Sequence, residues 1–166
     1  MKNEYIPAAA YFEAQILHIA SAEGVLNHIV RSVEKECGIP QGLFGSGVFL
    51  ETRVISLLYS LIVVPKELWK LGKDNPIYSE IDKVWSLEKV TISKDISTYK
   101  VPIYKFIHHL RNAIAHANFK FESGNFEFWD QDKQQPERYR AVLTVPAMQE
   151  FLEVVGSLLK NIPWRG

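Results

Sequence analysis

The chain of 166 residues has one cysteine, Cys37. A lone cysteine excludes an internal disulfide and any metal site built from several thiolates. It is what a reducing compartment permits, and a cytoplasmic location is the expectation. No basic segment followed by an apolar stretch opens the chain, so no signal peptide is expected. Long hydrophobic runs are missing too. The most apolar one, residues 54–64, is far shorter than the ~20 residues that span a bilayer, and Ser56 and Ser60 interrupt it. It reads as a buried helix, with no membrane partner. Net charge is absent, with 19 basic residues against 19 acidic, which excludes a protein that coats nucleic acid by bulk charge. Repeats, low-complexity tracts and flexible linkers are lacking as well, so residues 1–166 are expected to form one domain. The glycines of residues 38–47 fit neither a P-loop nor a dinucleotide fingerprint. His18 and His28 lie ten residues apart with no third ligand in reach, so no metal and no cofactor are expected.

What is present is 47% hydrophobic residues, enough for a core, arranged mostly at helical spacing. Phe12, Ile16, Ile19, Leu26, Ile29, Val30 and Val33 predict one long helix over residues 8–36, with Pro7 suited to its start. Residues 38–47 read as a loop, because they hold four glycines and a proline. A second helix covers 48–64, which Pro65 kinks or ends, with a further helical turn over 66–71 stopped at Gly72. A third covers 76–87, and 90–99 is loop or a short strand. Pro102 opens a fourth helix, 102–117. The period then changes. Phe119-Lys120-Phe121-Glu122 and Phe126-Glu127-Phe128 alternate aromatic and charged residues about Ser123-Gly124, a hairpin pattern. The alternation favours one face buried against helices over a platform for stacked bases. A polar loop over 131–138, a third short strand over 139–144 and a last helix over 146–161 complete the chain, with Phe151, Leu152, Val155, Leu158 and Leu159 on that helix's apolar side. The expected fold is mainly α: four to five helices in a bundle, with a small antiparallel β-hairpin between the last two.

Chemistry concentrates on the fourth helix. At about 100° per residue, Ile103, Phe106, Ile107, Leu110, Ala113, Ile114 and Ala117 form the core face. Lys105, His109, Asn112 and His116 line the opposite side, with His108 and Arg111 beside them. Between Asp95 and Glu122 there is no carboxylate, while Lys100, Lys105, Arg111, Lys120 and three histidines fall inside. A helix that is merely solvated usually mixes Glu with Lys. Arginine grips a phosphate in a fork, and histidine exchanges a proton near neutral pH. Together they suit a phosphodiester. A structural reading stays open beside this one, in which Arg111 bridges neighbouring helices and His116 is a histidine at the core edge. Arg111 and His116 are five residues apart and diverge by roughly 140°. One helix alone makes a poor paired site, whereas a two-fold dimer brings two copies of each into one cleft.

The string Arg111-Asn112-Ala113-Ile114-Ala115-His116 resembles the hallmark of the HEPN superfamily (higher eukaryotes and prokaryotes nucleotide-binding domains), an Arg, a polar residue, three variable positions and His. Leu57-Leu58-Tyr59-Ser60-Leu61-Ile62-Val63-Val64-Pro65-Lys66-Glu67 and the hairpin ending Phe128-Trp129-Asp130 are similar to stretches of bacterial members. The resemblance implies a metal-independent endoribonuclease of phage defence or toxin–antitoxin systems. Its catalytic residues would be Arg111 on the scissile phosphate, His116 in proton transfer and Asn112 as orienter, with a 2′,3′-cyclic phosphate product. Lys105, His108, His109 and Lys120 are the expected RNA contacts. The expected partners are RNA and a second copy, the motif helices facing across the two-fold, and the family's habits add an antitoxin not identified by this sequence. HEPN toxins paired with a nucleotidyltransferase antitoxin often carry a tyrosine soon after the histidine. Ala117-Asn118-Phe119 stands there instead, which tells against that pairing. The alternatives are a non-catalytic HEPN-like module binding RNA, a nucleotide or a protein, and a helical scaffold without a site.

Overall fold

The computed structural model describes residues 5–43, 46–92, 101–132 and 135–160, with backbone alone for 46–51 and 132–138. The order is α1 (Ile6–Ala22), α2 (Val25–Glu36), α3 (Ser46–Leu58), a π-helical segment (Tyr59–Val63), α4 (Val64–Trp69), α5 (Pro76–Val84), β1 (Val90–Ile92), α6 (Ile103–Ala115), β2 (Phe119–Glu122), β3 (Asn125–Asp132), β4 (Gln135–Thr144) and α7 (Val145–Leu159). The chain is mainly helical, as expected, with one antiparallel sheet in the order β1-β4-β3-β2.

Four local differences have physical causes. The single first helix is two, because Glu23 closes α1 and Gly24 turns the chain at φ 76°. Its expected apolar stripe is not core: Phe12, Ile16, Ile19, Ile29 and Val33 are exposed, while the smaller Ala8 and Ala14, with Tyr11, face inward. Of the two outcomes expected at Pro65, a kink or an end, the helix does not end. The helical path runs on through the π segment into α4, and the wider turn accommodates a ring that has no N–H for the preceding turn. The hairpin is part of a larger sheet. β3 and β4 extend into what composition marked as polar loop, 131–138, and residues 90–92 of the 90–99 segment pair with β4 at its far edge. Residues 93–99 lie outside the described residues, as do Phe44 and Gly45 of the glycine-rich loop.

The core fixes α6. Ile103, Phe106, Ile107, Leu110, Ala113 and Ile114 are buried, and Ala117, expected among them, is exposed in the turn that ends the helix. Phe106 stands at the centre of an aromatic cluster. Its ring lies 5.6 Å from Trp85, 5.5 Å from Phe151 and 5.8 Å from Phe128, linking α6 to α7 and to β3. Such offset and edge contacts add to the burial each ring gains. On β3, Phe126 and Phe128 are fully buried, so the aromatic alternation is a core face, as the pattern predicts. The sheet and the bundle therefore grip α6 from its apolar side, and of its polar stripe Lys105 and His116 are exposed while His109 and Asn112 are half-buried.

Candidate active site

Pro102 precedes the first turn of α6, where its missing N–H costs nothing. The helix ends just after the motif. Ala117 adopts a left-handed φ of 56°, the Ala117 N–H donates to Ile114 O at 3.2 Å, and the Asn118 N–H donates to Ala113 O at 2.8 Å. That pair of bonds closes the helix in a Schellman turn and sets His116 at its C-cap. The Trp129 N–H then donates to Asn118 O at 3.0 Å, tying the turn to β3.

Arg111 and Asn112 come together. Arg111 Nη1 donates to Asn112 Oδ1 at 2.9 Å, so the guanidinium bends towards the stripe that its helix position stands beside. Its Nη2 pairs with Glu67 of α4, and its Nε is shielded from solvent with no hydrogen-bond partner among the described residues. Asn112 Nδ2 donates to Asp130 Oδ2 at 3.1 Å, and His109 Nδ1 meets the same oxygen at 2.8 Å. The His109 ring stacks on Tyr139 of β4 with centroids 4.2 Å apart and planes 11° from parallel. His108 lies at the edge of this group, its Nε2 3.4 Å from Asn112 Nδ2. Partial burial, and next the charge of His109, hold the His108 pKa below its ordinary value. Lys66 and Arg111 act the same way, and Asp130 opposes them.

The other expected residues stand apart. His116 and Lys105 are exposed, and neither side chain hydrogen-bonds among the described residues. Lys120 on β2 is held by Glu122 at 2.7 Å and Glu127 at 3.2 Å. The stretch without carboxylates in sequence is thus not without them in space: Glu67, Asp130, Glu122 and Glu127 supply acids from α4, β3 and β2. Asp130 was legible. It follows Phe126 and Phe128 at a period of two, and so shares their inward face as an acid that must find donors. Glu67 carried no such signal.

Of the motif, His116 is exposed, and Arg111 and Asn112 are half-buried. A groove of about 480 Å³ lies elsewhere, against α1, α3 and α7, lined by Tyr11, Gln15, His18 and Arg53 among others and by no motif residue. No three of His, Cys, Asp and Glu gather as metal ligands among the described residues.

A helical domain ending its motif helix in Arg-Asn-x-x-x-His, packed on a small sheet, is the HEPN type. The family model described as HEPN pEK499 p136 matches residues 1–163, and the chain belongs to that HEPN family. No curated protein and no solved structure matches the chain. No helix among the described residues is long and apolar enough to cross a membrane.

Proposed function

We propose that this protein is a metal-independent endoribonuclease that works as a homodimer. The observation that carries the reading is the Arg111–Asn112 pair, held at 2.9 Å on α6 with His116 at the same helix's end. Arg111 binds the non-bridging oxygens of the scissile phosphate, and Asn112 orients its guanidinium. The RNA 2′-hydroxyl attacks phosphorus, the P–O5′ bond breaks, and the products are a 2′,3′-cyclic phosphate and a free 5′-hydroxyl. One His116 takes the 2′-hydroxyl proton. Its two-fold mate protonates the leaving 5′-oxygen, so the dimer supplies both proton transfers. Lys105 and His108 extend the contact surface along the stripe. Phage defence or a toxin–antitoxin setting fits an enzyme of this kind.

The Glu67–Arg111 ion pair favours a second reading, in which Arg111 bridges α4 and α6 and the domain only binds RNA, a nucleotide or a protein. Alanine at Arg111 and at His116 separates the two. The ribonuclease reading expects each change to abolish cleavage, with melting within a few degrees of wild type, because neither residue fills the core. No step calls for a metal, so cleavage persists in EDTA. DNA, lacking the 2′-hydroxyl, stays intact. Cleavage that stops in EDTA, or a His116→Ala protein that melts many degrees lower, overturns the reading.

A further inference from the structure

Asp130 is an acid on the inward face of β3 that the catalytic reading leaves unused. The residue is 6% exposed. A carboxylate so buried is costly unless hydrogen-bonded, and among the described residues two donors from α6 reach it. His109 and Asn112 are three residues apart, so they project from neighbouring turns of one face. Their donors converge on a single oxygen, Oδ2, at 2.8 and 3.1 Å. Asp130 and Tyr139 are directly paired across β3 and β4. His109 therefore settles on a cross-strand pair, with its edge on the carboxylate and its face on the phenol ring.

We propose that Asp130 is a positioning residue of the motif: by drawing the Asn112 amide and the His109 imidazole onto one oxygen, it fixes which way Asn112 faces and so where Arg111 is held. The amide has two ends. With Nδ2 bound to the carboxylate, Oδ1 is turned to the Arg111 guanidinium. A flipped amide sets Oδ1 against Asp130 and Nδ2 against the guanidinium, repulsive at both ends. The orientation of the motif arginine is thus anchored in the sheet. His109 takes part as a donor through Nδ1–H. That assigns the tautomer, and it makes the histidine a brace for Asp130 and not a proton shuttle.

The activity arm of the test rests on the ribonuclease reading; the spectroscopic arm does not. Asp130→Asn, His109→Ala and His109→Asn are compared with wild type by RNA cleavage kinetics, thermal melting and ¹⁵N NMR. Asp130→Asn is expected to lower kcat by roughly 10- to 100-fold, the usual cost of losing an orienting partner, with KM changed far less. In the same variant His109 shifts towards its Nε2–H tautomer and the Asn112 side-chain amide signals move. His109→Asn places an amide N–H where Nδ1–H stood, so it keeps most of the activity that His109→Ala loses. An unchanged His109 tautomer with unmoved Asn112 signals in Asp130→Asn overturns the proposal. So does an unchanged kcat in that variant, or a His109→Asn protein as inactive as His109→Ala. Should Asp130→Asn fail to fold, the two His109 variants decide by the same comparison. A wild type that cuts no RNA refutes the ribonuclease reading alone, and the NMR comparison then decides the role of Asp130.

Discussion

Glu67 reaches Arg111 from 44 residues away and takes one edge of the guanidinium that a phosphate needs. Its side chain is 57% exposed, and an ion pair of that kind is worth about 0–1 kcal/mol. A phosphodiester therefore displaces it at small cost. Glu67→Gln is expected to tighten RNA binding by up to about fivefold at low salt and to steepen its salt dependence. Filter binding across a salt series checks this, and unchanged affinity and slope count against Arg111 as a phosphate contact. His108 bears on pH. The unfolded chain takes up this proton near 6.5, whereas the folded chain, with its pKa lowered first by burial and then by His109, does so only at lower pH. Within that interval the unfolded state binds more protons, so stability drops as pH falls below 6.5 and levels off once folded His108 is itself protonated. Denaturant melts of wild type and His108→Gln from pH 7.5 to 5 test this. The variant should lose less stability over the range, and parallel curves contradict the assignment.

Among elements, α1 and α7 approach each other closely at Gly156. A Cβ on Gly156 would overlap Cδ2 and Cε2 of Tyr11, so the ring packs on α7 where no side chain fits. The ring is not free to swing away, because Tyr11 Oη donates to Glu153 Oε1 at 2.5 Å, one turn earlier on the same helix. Burial and that carboxylate push the Tyr11 pKa up to about 12. Gly156→Ala is expected to cost about 1–3 kcal/mol, the usual range for overpacking, which is roughly 3–10 °C in Tm for a chain of this size. A melting curve indistinguishable from wild type contradicts the seam. Because the Phe151 ring that holds α7 to α6 lies more than a turn from Gly156, RNA cleavage by the folded variant at low temperature should be retained.

For the whole molecule, the divergence of Arg111 and His116 is only partly closed within one chain. Arg111 bends to Asn112, and His116 stays exposed at the helix end. If two motif helices share a cleft that uses both histidines, a His116→Ala subunit silences a wild-type mate. Mixed with excess His116→Ala protein after gentle dissociation, the wild type should lose cleavage beyond simple dilution, since each mixed dimer holds a single histidine. Light scattering should show a dimer at the assay concentration. Cleavage that only follows the wild-type content of the mixture, or an active monomer, refutes the shared cleft.

The elements with strong internal periodicity were legible from sequence. The buried residues of α6 and α7, the inward Phe126 and Phe128 and the Arg111–His116 motif all follow from spacings of 3.6 or 2, which the backbone imposes within a few residues. The HEPN resemblance rested on the same local string. What only the tertiary structure decided is which faces meet. The stripe of Phe12, Ile16 and Ile19 looks like core, yet α1 turns Tyr11 and its alanines inward, because the room against α7 is set by Gly156. The motif stretch lacks carboxylates along the chain, yet folding brings Glu67 to Arg111 and Asp130 to Asn112 and His109. Periodicity describes one segment's own geometry, whereas a long-range pairing depends on which segments the core brings side by side.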